Sequence, residues 1–200
     1  MNEIQENPGS LEKLKPGFDQ MREAQLADPM PELETRRDLL QRLLKGLEEH
    51  EEAFTQAISA DFGQRSAFET ANYDITVTLA DIKYQIRNLA RWMRIRKRSV
   101  PLHLMPGRAR IVPQPLGVVG VISPWNFPVF LSLSPIAGAI AAGNRVMLKP
   151  IEWTPNTSAL LAELASEAFE PDEFAVFEGG IEAGRAFPEL PFDHLLFTGS

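Results

Sequence analysis

The chain has 200 residues, 44% hydrophobic and 24% charged, with a formal net charge of −7 and no cysteine. These proportions describe an ordinary globular chain with enough apolar residues for a core, and they exclude a disulfide framework. The acidic balance argues against a dedicated nucleic-acid or anionic-membrane binder, since those carry a basic excess, and directs attention to a small-molecule partner.

No run approaches the roughly 20 apolar residues that a bilayer span needs. Met1 to Ser10 shows neither a basic n-region nor an apolar h-region, so a cytoplasmic chain with no membrane partner is expected. His50, His103 and His194 have no metal-ligand spacing among themselves, and no metal is expected.

Residues 1–32 are polar and broken by Pro8, Gly9, Pro16, Gly17, Pro29 and Pro31, which predicts a flexible lead-in. Residues 33–98 read as a helical segment. Leu39, Leu40, Leu43, Leu44 and Leu47 fall on one face of a helix that Ala57 and Ile58 extend until Asp61-Phe62-Gly63 ends it. Phe68, Ile75, Leu79, Ile82, Ile86, Leu89 and Met93 form the apolar stripe of a second helix. The cations Arg87, Arg91, Arg94, Arg96, Lys97 and Arg98 that follow suit a solvated helix C-terminus better than a nucleic-acid patch, because no aromatic platform beyond Trp92 is interleaved with them.

Residues 99–115 predict a β-hairpin, with strands Val100 to Met105 and Arg108 to Val112 about a Pro106-Gly107 turn. Strands this short need support, either from another subunit or from the rest of the chain. From Leu116 onward strand and helix alternate, the pattern of a parallel sheet. The strands are Gly117 to Ser123, Arg145 to Lys149, Phe174 to Phe177 and around His194 to Phe197. Between them come a buried helix Phe130 to Ala142, with Pro135 near its start or kinking it, and a helix Pro155 to Phe169 whose N-cap is Thr154. A short helix within Glu182 to Leu190 completes the set.

The expected fold is therefore α/β, with N-terminal helices, a β-hairpin and a Rossmann-like parallel βαβ nucleotide-binding half-sheet over residues 116–200. Ligands of such sheets sit beyond the carboxyl ends of the strands. Three motifs lie at those ends: Pro124-Trp125-Asn126-Phe127-Pro128 after strand one, Lys149-Pro150-Ile151-Glu152 after strand two, and Phe197-Thr198-Gly199-Ser200 at strand four. Three loops thus converge on one crevice.

These motifs resemble those of the aldehyde dehydrogenase superfamily. Pro113-Gln114-Pro115-Leu116-Gly117-Val118-Val119, the run Gly138 to Asn144, and Phe192-Asp193-His194 resemble its dimeric fatty and aromatic aldehyde branch. The resemblance implies NAD(P)-dependent oxidation of an aldehyde to the acid, on a fatty substrate or an aromatic one such as coniferyl aldehyde, by a homodimer to which the hairpin contributes. Asn126 would donate its side-chain amide to the oxyanion that forms when a thiolate adds to the aldehyde; the other reading is an asparagine shaping a tight turn. Lys149 and Glu152 would hold the adenosine ribose, Glu152 repelling a 2′-phosphate so that NAD is preferred and NADP remains admissible; otherwise they are an exposed pair on a surface loop. Ser123, Pro124 and Trp125 would line the cofactor crevice, Trp125 mainly by packing. Gly199 and Ser200 would meet the pyrophosphate, while Gly180 lines the adenine side or merely turns the chain.

That chemistry runs through a cysteine thiolate, and the 200 residues contain none. The expectation is that they form the front part of a longer protein, an incomplete aldehyde dehydrogenase fold whose catalytic domain lies elsewhere and which is inactive alone. The alternative is a complete, non-catalytic nucleotide-binding or interaction module using the same fold.

Overall fold

The computed structural model describes residues 8–199, with side chains from Glu12 onward. Helix α1 spans Pro8–Ala27, α2 Leu33–Glu49 and α3 Glu51–Phe62. A short α4, Ala67–Thr70, continues through a π-helical turn at Ala71–Ile75 into α5, Thr76–Trp92. Strands β1, Arg96–Arg98, and β2, Ala109–Ile111, form an antiparallel pair. Then follow β3 (Val118–Ser123), α6 (Phe130–Ala141), β4 (Arg145–Pro150), α7 (Pro155–Ala168), β5 (Phe174–Val176), α8 (Ile181–Ala186) and β6 (His194–Phe197).

The last four strands make one parallel sheet in the order β5-β4-β3-β6. Local chemistry fixes its start. Gly143, at φ 88°, ends α6 in the left-handed region, and its N–H reaches the Ile140 carbonyl at 2.8 Å. Asn144 Oδ1 then accepts the N–H groups of Leu116 (2.7 Å) and Gly117 (3.0 Å). The amide ties the entry of β3 to that of β4, and Val118 pairs with Arg145.

Side chains alternate across the sheet. Val119, Val121, Val146 and Leu148 face a layer built by α2, α3, α5, α6 and α7, where Leu40, Leu43, Leu47, Phe54, Ile58, Ile82 and Leu133 are fully buried. Val118, Ile122, Met147 and Leu195 face the other way, against α1 and the segment from α8 to Phe192. The result is a helix–sheet–helix sandwich.

The lead-in is where expectation and structure diverge most. Residues 1–7 of that stretch lie outside the described residues, but Pro8–Ala27 is helical. Leu14, Phe18, Met21 and Gln25 recur at intervals of four and three and form a buried stripe. Gly17, which reads as a breaker, instead lets the helix approach the sheet: a Cβ there would meet the Phe177 ring at 2.6 Å. Arg22 binds Asp193 at 2.6 Å, and the same carboxylate oxygen accepts the Val118 N–H at 2.7 Å.

Three smaller corrections concern boundaries and caps. The single helix expected from Leu33 to Phe62 breaks at His50, whose backbone leaves helical geometry (φ −103°, ψ 9°). Its ring Nδ1 lies 2.8 Å from the Gly46 carbonyl, and Glu51 and Glu52 restart a helix with acidic residues at its positive end. The hairpin pairs Arg96–Arg98 with Ala109–Ile111, and Leu102–Leu104 within the expected first strand is a 3₁₀ turn. Thr154 is the N-cap of α7 but its side chain makes no capping bond. Asp61 caps the helix from a distance, accepting the N–H groups of Asn156 (3.0 Å) and Thr157 (2.9 Å). Pro135 lies inside α6.

Candidate functional site

Strand order decides where a ligand would sit. From β3 the chain first builds outward through β4 to β5, then returns to place β6 on the other side of β3. The direction of winding reverses between β3 and β6, and because all four strands are parallel, the loops leaving them open along one edge at this switch point. These loops are Pro124–Val129, Ile151–Thr154, Phe177–Gly180 and the stretch from Thr198.

After β3, Ser123 is buried and its hydroxyl accepts from Ser132 Oγ at 2.7 Å, so it turns toward α6. Pro124 is buried beside it, while Trp125 (45% exposed) and Asn126 stand out at the edge. Arg65, reaching in from beyond α3, donates to the Asn126 carbonyl at 2.7 Å and leaves the side-chain amide uninvolved in that bond. Its guanidinium stacks over Phe62 and Phe127, 5.1 and 4.9 Å from the ring centroids.

After β4, Lys149 is only 2% exposed. Its Nζ donates to the Pro150 carbonyl at 2.7 Å and stands 3.9 Å from Glu152 Oε2. Burial pushes the Lys149 pKa below its ordinary value, against the opposing pull of Glu152 and Glu178. Burial likewise raises the Glu178 carboxyl, which the Lys149 charge opposes. Glu178 escaped the sequence reading; its position between β5 and Gly179 was the signal available.

The loops meet. Trp125 packs on Trp153, with ring centroids 6.5 Å apart, and on Phe62 at 5.9 Å, which joins the loop after β3 to the loop after β4. The Thr198 N–H donates to the Ile122 carbonyl at 3.1 Å, which brings Gly199 to the end of β3. Gly199 (φ 153°) and Gly179 (φ 149°) adopt backbone that L side chains rarely take, and Gly180 is the buried N-cap of the short α8. Ser200 lies outside the described residues.

The edge thus presents an outward asparagine, a buried ammonium between two carboxylates, and glycine backbone beside the switch point. Away from it, His50, Glu163 and Glu167 offer ligand atoms within 4.8 Å of one another, on α7 and the α2–α3 junction, a trio that inspecting histidines alone does not reveal. No helix among the described residues is long and apolar enough to cross a membrane.

Comparison with known proteins agrees with this architecture. A probable coniferyl aldehyde dehydrogenase of Pseudomonas aeruginosa is 45% identical over 197 residues, which is 98% of this chain and 41% of that protein. A coniferyl aldehyde dehydrogenase of a Pseudomonas species is 46% identical over 193 residues, 96% of this chain and 40% of its own length. Among solved structures, the substrate-bound state of Staphylococcus aureus AldH superposes with a TM-score of 0.89 at 32% identity, covering 93% of this chain and 40% of that one. The NAD-dependent benzaldehyde dehydrogenase of Corynebacterium glutamicum gives 0.80 at 28% identity, covering 95% and 41%. The chain therefore spans about 40% of the length of the relatives it matches. Residues 12–200 match the aldehyde dehydrogenase family, and with the parallel sheet, the switch point and the three loops in place, the chain belongs to that family.

Proposed function

We propose that this chain supplies the dinucleotide crevice and the oxyanion donor of an NAD-dependent aldehyde dehydrogenase acting on an aromatic aldehyde of the coniferyl kind. The observation that carries the reading is the convergence at the switch point of the Asn126 loop with the Lys149–Glu152 loop, linked by the Trp125–Trp153 contact. The names of the Pseudomonas relatives support the substrate class, and those of the solved structures support NAD.

The donor set fits an adenosine ribose. A carboxylate accepts from vicinal hydroxyls and an ammonium donates to one of them, and Glu152 and Lys149 sit together at the end of β4. Glu152 disfavours a 2′-phosphate by charge, so NAD is preferred over NADP. Gly199 lets backbone approach a pyrophosphate, and Gly180 and Trp125 border the crevice. When bound, the nicotinamide accepts a hydride. Asn126 holds the aldehyde oxygen by its amide and stabilises the negative charge that develops there, a contribution of about 10² to 10³ in rate for such donors. The 200 residues contain no cysteine, so a thiolate nucleophile has to come from outside them.

Calorimetric titration tests the crevice. The chain is expected to bind NAD more tightly than NADP; Lys149→Ala weakens NAD binding about tenfold or more, the scale of a charged hydrogen bond, and Glu152→Gln narrows the preference. Binding that ignores both substitutions would sink the assignment. The purified 200 residues are also expected to produce no reduced nicotinamide from NAD and coniferyl aldehyde.

The lack of cysteine also suits a second reading, a non-catalytic nucleotide-binding or interaction module. The encoded sequence following Ser200 separates the two, a glutamate and a cysteine in the family's order supporting the enzyme. A cytoplasmic homodimer belongs to the first reading. Leu102, Leu104, Met105 and Ile111 are exposed on and between β1 and β2, and deletion of Arg96–Ile111 is expected to abolish dimers in sedimentation. A deletion variant that remains dimeric would remove the hairpin as the main contact.

A further inference from the structure

We propose that Arg65 and Asp74, neither of which belongs to the sheet or its crevice loops, are positioning residues that clamp the Asn126 loop at two points and so aim its amide. The inference rests on the reading of Asn126 as oxyanion donor.

Arg65 takes the middle of the loop. Its Nη1 donates to the Asn126 carbonyl at 2.7 Å, its guanidinium lies over the rings of both Phe62 and Phe127, and its side chain is only 7% exposed. A guanidinium both stacked and hydrogen-bonded fixes an orientation that a flexible ammonium does not. The backbone before it is bent for the purpose: Gly63 (φ 65°) and Gln64 (φ 102°) are consecutive residues of positive φ, a conformation unfavourable for glutamine's Cβ. This turn ends α3 and sends Arg65 back across the end of β3.

Asp74 takes the far end. It is fully buried in the π-helical turn, and its Oδ1 accepts the Phe130 N–H at 2.5 Å at the start of α6, while its Oδ2 is buried without a hydrogen-bond partner. A carboxylate there answers one donor that the helix leaves unpaired and complements its positive end. The charged group acting on Asp74 is Arg65, itself 3.6 Å from Glu69; from α5, the Thr78 hydroxyl bonds the Asp74 carbonyl at 2.5 Å. The Asp74 carboxyl is raised to about 6, chiefly by burial, which the bond from Phe130 and the charge of Arg65 counter. Burial therefore disfavours the charged form that binds the loop best, as expected of a group serving position more than stability.

Hydrogen exchange of the whole chain, corrected for intrinsic rates, tests the clamp between pH 5 and 8. In the wild type the Phe130 amide is expected to lose protection as pH falls through about 6, with Val146–Leu148 in β4 unaffected. Asp74→Asn makes the Phe130 protection independent of pH. Arg65→Ala speeds exchange of loop amides about tenfold, the scale of one hydrogen bond, and Arg65→Lys restores part of the protection. A Phe130 amide indifferent to pH in the wild type, or equal acceleration in the loop and β4 of the Arg65 variants, would overturn the clamp. The wild-type titration stands even where a variant fails to fold. NAD binding by the same samples reports on the functional reading separately. A loop that loosens in a chain that binds no NAD retains the clamp and loses the dehydrogenase crevice; a loop indifferent to Arg65 in a chain that binds NAD loses only the clamp.

Discussion

The two faces of the sheet are covered in different ways. Beneath Val119, Val121, Val146 and Leu148 lies a continuous core of five helices, with Phe54, Ile82, Leu133 and Leu164 fully buried. Over Val118 and Met147 the buried set is Leu14, Phe18, Met21 and Phe187, and most of the remaining apolar contacts are only partly buried. The thick face holds groups that reach the crevice loops and the helix starts beside them: Arg65 bonds the Asn126 carbonyl, Asp74 the start of α6 and Asp61 the start of α7. The thin face is covered by α1, docked by a few side chains and the Arg22–Asp193 ion pair, and by the short segment from α8 to Phe192. Stability and site geometry thus come from the same side, while α1 completes the burial of the other.

The largest expected effect tests whether these faces unfold together. Phe54→Ala on the thick face should cost about 3–5 kcal/mol in denaturant unfolding, with a cavity at the centre of the core. Phe18→Ala, whose ring meets Phe192 edge-on at 5.4 Å, should instead release α1 locally, lowering its amide protection more than that of β4. Equal losses in both variants would make the faces one cooperative unit and erase the distinction.

The second effect sets the cost of the buried carboxylate on the thick face. Asp74 moves from 3.8 to about 6 on folding, so the native state keeps a proton that the unfolded chain has released. Its contribution to stability therefore falls as pH rises from about 4 to about 6. Relative to Asp74→Asn, the wild type should lose about 3 kcal/mol across that window, and unfolding midpoints at pH 4 and pH 7 check it. A constant difference would mean that Asp74 ionises normally.

Next comes the joint of the thin face. Asp193→Ala removes the partner of Arg22 and of the Val118 N–H, and should cost about 1–3 kcal/mol while increasing exchange in α1. If α1 is undisturbed, its apolar stripe suffices to dock it. Smallest is Asp61→Ala, which uncaps α7 and should cost about 1 kcal/mol, read as fraying of Asn156 and Thr157 amides. Fraying confined to α7 keeps Asp61 a cap; fraying that reaches Trp153 would tie it to the crevice as well.

Much of the thick face was legible because its signals are local and repetitive. Leu40, Leu43 and Leu47 repeat with the helical period, and Ile82 and Leu89 do the same in α5. The apolar strands and the Gly143–Asn144 closure announce the parallel units. The α1 stripe has the same kind of spacing, but Pro16 and Gly17 in its middle outweighed it. Glycine there serves a close approach to Phe177 that no local rule contains. His50 likewise hides its break within an unbroken apolar pattern, since the cause is a side chain turned back on Gly46.

The sequence by itself determined the element types from α2 onward apart from the break at His50 and the 3₁₀ turn in the hairpin, the parallel α/β class and the three motifs at strand ends, because each depends on residues within a few positions of one another. Only the tertiary structure decided which strands adjoin, where the winding reverses, and which distant groups hold the loops and the helix starts. Arg65 meets Asn126 across 61 positions, Asp74 meets Phe130 across 56 and Asp61 meets Asn156 across 95. A carboxylate that caps a helix in another part of the chain leaves no periodic trace. Its partner is chosen by packing, once burial leaves a backbone donor without water and a buried acceptor must answer it.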